Sequence, residues 1–195
     1  MDLDWTLFRA LNGLAGHHPV LDRIMALVAT FGPFVFLAIL VLNWFWPLGT
    51  KGANGREARR RRLARAILAG AVAVALAQIP GKIYFRPRPF AAHVSGVTVL
   101  VGRTPDASFP SDHATVTSAF AAVADGNGTV MAVLGWVLTA AIAVARVYVG
   151  VHYPSDVLGG LLLGSAMAAL VEANARRLDP MVAPLVRLAG RITGG

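Results

Sequence analysis

The sequence predicts an all-α, polytopic membrane helical bundle of about five to six spans, with an N-terminal interfacial amphipathic helix. Three observations lead there. Of the 195 residues, 56% are hydrophobic and 14% charged, against about 25% charged in soluble domains. Residues 24–50, 66–81, 113–124, 129–145 and 157–171 carry no Asp, Glu, Lys or Arg. The basic residues gather in one polar segment, with Lys51, Arg56, Arg59, Arg60, Arg61, Arg62 and Arg65 close together. A single membrane-embedded domain over residues 1–195 accounts for all three.

Residues 1–18 read as the interfacial helix, because Leu7, Leu11 and Leu14 share a helical face and Gly13, Gly16 and Pro19 end it. Spans follow near 24–46, 63–84, 111–125, 129–149 and 154–175, the third being the shortest. Pro33 is a point where the first could break into a re-entrant piece. Residues 178–195 read as a cytoplasmic tail, in which 181–192 form a second surface helix or fray. With residues 47–62 on the cytoplasmic side, the ends near Tyr84, Ser111, Gly150 and Pro154 all fall on the opposite face. The formal charge of +8 therefore reflects membrane topology, and no nucleic-acid partner is expected. No cysteine is present, which excludes thiolate nucleophiles and thiolate metal sites.

Three polar clusters sit at those span ends. In Lys82-Ile83-Tyr84-Phe85-Arg86-Pro87-Arg88-Pro89, the prolines hold the chain extended. Arg86 and Arg88 then project as planar forks suited to phosphate oxygens, or as interfacial anchors of the span. In Ser108-Phe109-Pro110-Ser111-Asp112-His113, either Ser111 or Asp112 suits the N-cap of the next helix, whose free N–H groups make an anion cradle. His113 would be in its first turn, placed to give a proton to a leaving oxygen, or would simply be a surface histidine on a capped helix. In Arg146-Val147-Tyr148-Val149-Gly150-Val151-His152-Tyr153-Pro154-Ser155-Asp156, Pro154 suits the first helical position. Asp156, four residues after His152, is placed to accept one ring N–H and leave the other nitrogen to attack phosphorus; the same spacing also occurs in purely structural pairs. Asp106 and Tyr148 are further candidates for substrate contact, while His17, His18 and His93 read as interfacial. There is no carboxylate cluster of the kind that holds Mg²⁺.

Together these residues resemble the three-part signature of the type 2 phosphatidic acid phosphatase superfamily. Lys82 with Arg88-Pro89, then Pro110-Ser111-Asp112-His113, then Arg146, His152 and Asp156 follow its order and, in the third part, its spacing. The resemblance implies a phosphohistidine on His152, oriented by Asp156. His113 would protonate the leaving group and later activate water. Lys82, Arg88, Ser111 and Arg146 would bind phosphate, with Arg86 and Asp112 as further possible contacts and no metal or other cofactor. Five residues separate Lys82 from Arg88 where the usual pattern has six, Asp112 replaces glycine, and Ala145 replaces serine.

Asp106 to His113, Arg86 to Phe90 and the Asn12-Gly13-Leu14 start are more narrowly similar to the bacitracin-resistance type of undecaprenyl-diphosphatase. That resemblance implies a prenyl diphosphate substrate of the cell-wall lipid carrier cycle, in a bacterial plasma membrane with the site on the extracytoplasmic side. Phosphatidylglycerophosphate, phosphatidate and other prenyl phosphates are alternative substrates. The vanadium haloperoxidase branch shares the site but is soluble. A non-catalytic lipid-phosphate-binding protein would lack the nucleophile or the acid, and His152 and His113 are both present.

Overall fold

The computed structural model describes residues 3–45, 52–93, 95–124 and 129–193. They form eight helices: α1 Leu3–Asn12, α2 Pro19–Phe45, α3 Gly52–Ile83, α4 Pro89–Ala92, α5 Asp112–Ala124, α6 Thr129–Tyr148, α7 Pro154–Ala173 and α8 Ala175–Thr193. Four of them, α2, α3, α6 and α7, are long and apolar enough to cross a membrane. Outward Ile24, Phe31, Ile79, Val133, Val137 and Leu162 give these helices the apolar surface that lipid requires.

The expected third span is α5, which has 13 residues and is therefore about 20 Å long, short of the hydrocarbon thickness of about 30 Å. It lies at the centre of the bundle, packed most heavily on α7 and α3. Its Ala114, Thr115, Thr117, Ser118 and Ala119 are fully buried. The hydroxyls of Thr115 and Thr117 donate to the carbonyls of Ser111 and His113, so a polar helix is tolerated there.

Small residues set the spacing. Gly160 and Gly164 form a one-turn pair on α7 facing α5, where a Cβ on Gly160 would lie 2.6 Å from the Ser111 carbonyl oxygen. A Cβ on Gly164 would overlap the Thr115 carbonyl and the Ser118 hydroxyl. In lipid, with little hydrophobic drive between helices, such close approach supplies the packing. Away from this seam, Phe36 of α2 meets Phe120 of α5 edge to face at 5.6 Å between centroids.

Several expectations are corrected. α2 continues through Pro33 as one helix. α3 begins well before residue 63 and takes in the arginine run. Arg59, Arg60 and Arg65 are buried, Arg59 on Asn43, Arg60 on the Trp44 carbonyl and Arg65 on Glu172 and Asp179. Lys51 lies outside the described residues. The tail is helical from Ala175, with Val182 and Val186 inward. Leu7 on α1 and Leu14 in the turn after it point outward, while Phe8 and Asn12 are buried. Asn12 donates to the carbonyls of Thr98 and Tyr148 and accepts from the Thr98 N–H, which docks α1 onto the bundle. His93 stacks on Trp5 at 3.8 Å and so has a partner that its sequence neighbours do not show.

Candidate active site

The polar clusters meet at the end of the bundle formed by the C-termini of α3 and α6 and the N-termini of α5 and α7. Each is delivered by a backbone feature. Arg88 is the extended residue before α4, with Pro89 at the first helical position. Gly150, at φ +84°, makes the left-handed turn by which the chain leaves α6; an L side chain there would meet the Thr98 carbonyl. His152 follows, and Pro154 then starts α7.

His152 is 1% exposed. Its Nδ1 lies 2.9 Å from the Ser108 carbonyl oxygen. A carbonyl only accepts, so we assign the proton to Nδ1 and the lone pair to Nε2. Nε2 lies 3.2 Å from Arg88 Nη1 and 3.2 Å from Arg146 Nη2. Burial, reinforced by Arg146 and Arg88 and opposed by the Asp156 carboxylate, pushes the imidazole pKa down to about 4. The ring is therefore neutral at neutral pH, with its nucleophilic lone pair between two guanidinium groups.

Asp156 does not take the ring proton. Its Oδ2 is 3.7 Å from Nδ1, beyond hydrogen-bond reach. Instead Oδ2 accepts from Ser108 Oγ at 2.5 Å and from the Tyr153 backbone N–H at 2.8 Å, while Oδ1 accepts from Arg86 at 2.6 Å. The carboxylate thus holds Ser108, and the Ser108 carbonyl holds the ring. Nothing in the sequence singles out Ser108, because its backbone oxygen touches His152 across 44 positions; the trace it leaves is a small hydroxyl residue just before Pro110-Ser111.

Arg88 also donates to the Val151 carbonyl at 3.0 Å and to Asp106 at 2.9 Å, and Arg146 to the Ala29 carbonyl at 3.3 Å. Burial alone would raise the Asp106 pKa, but hydrogen bonds from Thr104 and Arg88 outweigh it and hold this carboxylate below its ordinary range. An anion arriving at Arg88 must compete with it. Three buried donor atoms have no partner among the described residues: Arg88 Nε, Ser111 Oγ and Arg146 Nε. Buried donors are rarely left unpaired, and these three come from the residues expected to bind phosphate. Ser111 precedes α5 without capping it through its side chain, while its N–H donates to the Asp156 carbonyl at 3.0 Å.

His113, in the first turn of α5, lines an apolar cavity of about 280 Å³ with Pro33, Phe34, Leu37, Val74 and Val116. Asp112 accepts from Gln78 at 3.0 Å and borders both that cavity and a small polar one shared with Arg88 and Asp106.

Three candidates stand apart. Lys82 is exposed on the last turn of α3 and has no hydrogen bond or ion pair among the described residues. Arg86 is spent on carboxylates, reaching Asp4 and Asp156 at 2.6 Å each and Ser155 Oγ at 2.7 Å. Tyr148 donates its hydroxyl to Asp22 of α2 at 2.7 Å, beside the turn that joins α1 to α2. Among the described residues no group of His, Asp or Glu is arranged to hold a metal ion.

An all-helical membrane bundle with a histidine between two arginines defines a class, that of phosphate-handling membrane proteins. The chain belongs to the PAP2 superfamily, whose family model matches residues 62–178. It is 31% identical over 190 residues to the undecaprenyl-diphosphatase BcrC of Bacillus subtilis, covering 95% of this chain and 91% of that one. It is 37% identical over 126 residues to the decaprenylphosphoryl-5-phosphoribose phosphatase of Mycobacterium tuberculosis, covering 65% of this chain and 68% of that one. The crystal structure of Aquifex aeolicus LpxE shares the fold, with a TM-score of 0.70 at 24% identity over 89% of this chain and 96% of that one.

Proposed function

We propose that this multi-pass membrane protein hydrolyses undecaprenyl diphosphate to undecaprenyl phosphate and inorganic phosphate through a phosphohistidine. The observation that carries the reading is His152 Nε2, its lone pair directed between Arg88 and Arg146 beside three buried donors without a partner among the described residues. Phosphoryl transfer needs mainly positioning and neutralisation of the equatorial oxygens, and these groups supply both.

The terminal phosphate displaces Asp106 from Arg88 and takes donors from Arg88, Arg146 and Ser111. Nε2 attacks phosphorus as the bond to the bridging oxygen breaks. Burial, with Arg146, His152 and Arg88, holds the His113 pKa down at about 3 in the substrate-free protein, so the ring takes up a proton together with the anionic diphosphate and gives it to the bridging oxygen, releasing undecaprenyl phosphate. Neutral His113 then removes a proton from water, whose oxygen attacks phosphorus, breaks the P–N bond and returns His152 with free phosphate. The prenyl chain leaves along the apolar cavity that His113 lines. A hydrocarbon tail on the leaving group requires such a wall beside the acid.

The tail assignment rests on the extent of likeness to BcrC, 95% of the chain. A second reading, a prenyl-linked phosphate monoester, draws on the higher identity to the mycobacterial phosphatase over a shorter stretch. The arginine-rich start of α3 lies at the opposite end of that helix from the site, and the preference of basic residues for the cytoplasmic side supports a site on the outer face of a bacterial plasma membrane.

The test is phosphate release by purified protein from undecaprenyl diphosphate, decaprenyl phosphate, phosphatidylglycerophosphate and phosphatidate in EDTA. Release should be fastest on the diphosphate and fall about a thousandfold or more in His152→Ala. Equal rates on all four lipids would remove the prenyl assignment, and activity surviving in His152→Ala would remove the phosphohistidine.

A further inference from the structure

We propose that Asp4, on the N-terminal helix, is a positioning residue for this hydrolysis, acting through Arg86 on the carboxylate that holds the nucleophile in place. The proposal rests on the phosphohistidine reading above and adds a residue outside the stretch that the family model matches, residues 62–178.

The contacts form one continuous chain. Asp4 Oδ2 accepts from Arg86 Nη2 at 2.6 Å and from Ser155 Oγ at 2.5 Å, and Oδ1 accepts from the Ser155 backbone N–H at 2.9 Å. The other arm of Arg86 donates to Asp156 Oδ1 at 2.6 Å. Asp156 Oδ2 takes the Ser108 hydroxyl, and the Ser108 carbonyl takes His152 Nδ1.

Two physical needs explain why an acid stands at position 4. Ser155 lies in the first turn of α7, where backbone N–H groups have no carbonyl partner within the helix. Asp4 accepts the Ser155 N–H from another helix, doing from outside what an N-cap carboxylate does locally, with its charge at the favourable end of the dipole. Arg86, for its part, has a planar fork that holds direction only when both arms are engaged. Asp4 and Asp156 engage one arm each, and the Tyr153 ring lies 4.2 Å beneath the guanidinium. Without the Asp4 charge one arm of the fork loses its partner, and only Nη1, on Ser155 Oγ and Asp156, sets the direction of the guanidinium, which loosens Asp156, Ser108 and the ring. α1 itself is fixed by the Phe8 ring against Tyr153 at 5.8 Å and by Asn12, so it is a rigid support.

The experiment compares wild type, Asp4→Asn, Arg86→Gln, the double variant and Leu7→Ala, an outward residue of the same helix, by phosphate release from undecaprenyl diphosphate. Thermal midpoints and ¹⁵N spectra of the histidine rings are recorded on the same samples. Asp4→Asn should lower kcat about tenfold and leave KM within about twofold, since no phosphate contact is touched. The double variant should match Arg86→Gln alone, because both act through one chain, and Leu7→Ala should match wild type. The His152 ring resonances should move in Asp4→Asn. If Asp4 only braces the fold, the thermal midpoint falls while turnover per folded molecule and the resonances stay at wild-type values; that outcome, or losses that multiply in the double variant, overturns the proposal. Wild-type protein that releases no phosphate from any lipid would instead sink the hydrolase reading, and the resonances, which need no turnover, would still decide for or against Asp4.

Discussion

A nitrogen that attacks phosphorus must be unprotonated, and the surroundings of His152 enforce this twice. The Ser108 carbonyl fixes the proton on Nδ1, and burial with two flanking guanidiniums lowers the pKa from 6.5 to about 4. Titrating the His152 ring by ¹⁵N spectroscopy in substrate-free protein should therefore give a midpoint near 4, and a midpoint at the ordinary histidine value would contradict the geometry. The linked stability has a definite sign. Between pH 6.5 and about 4 the unfolded chain binds a proton that the folded chain refuses, so stability falls as pH falls through that window, by at most about 1.4 kcal/mol per unit. His113, lowered by burial to about 3, contributes in the same direction, so His152→Asn should make that part of the profile shallower without abolishing it. Arg88, Arg146 and His152 were legible in the sequence because their spacing fixes their place on a helix end. Lys82 and Arg86 stand apart from His152, and nothing in the sequence points to Ser108 or Asp4. Arg86 meets carboxylates because Asp4, 82 positions away, and Asp156 lie beside it, a pairing that spacing along the chain does not show.

Between elements, the seam of α5 and α7 does the most to shape the site. α5 brings Ser111 and His113, α7 brings Asp156, and the two approach through Gly160 and Gly164. Gly164→Ala should force a methyl against the Thr115 carbonyl and the Ser118 hydroxyl and cost about 1–3 kcal/mol by overpacking. Thermal unfolding in detergent should show it as a lowered midpoint, whereas Leu162→Ala, on the outward face of α7, should leave the midpoint near wild type. An unchanged midpoint in Gly164→Ala would mean that the seam yields without cost. The spans were legible because the hydrocarbon core admits long uncharged runs and little else. The early start of α3 was not, since a run of arginines reads as a solvated loop unless Asn43, Glu172 and Asp179 are known to lie beside it. Nor was the inward face of α1, where the leucine stripe suggested one side and Phe8 with Asn12 took the other.

At the scale of the whole molecule, the two ends of the bundle carry separate charge systems. Arg65 binds Glu172 of α7 at 2.8 Å and Asp179 of α8 at 2.5 Å, and Arg61 binds Glu57 at 2.5 Å. Arg65 and Lys82 are 17 positions apart on one helix, about 26 Å along its axis, well beyond the range over which substitutions usually couple. The Arg65 side chain is 7% exposed and its two partners 36% and 30%. Removing it strands carboxylates that water partly screens, so the cost falls well below that of breaking a fully buried pair, to about 1–2 kcal/mol. The two ends should then fail independently. Arg65→Met should free α8, seen as faster tryptic cleavage after Arg176 and Arg177, while phosphate release per folded molecule stays within about twofold of wild type and the loss in stability adds to that of Gly164→Ala. If Arg65→Met instead abolishes turnover while the chain stays folded, the arginine cluster and the histidine site are coupled through α3, and the division of the molecule into a chemical end and an anchoring end does not hold.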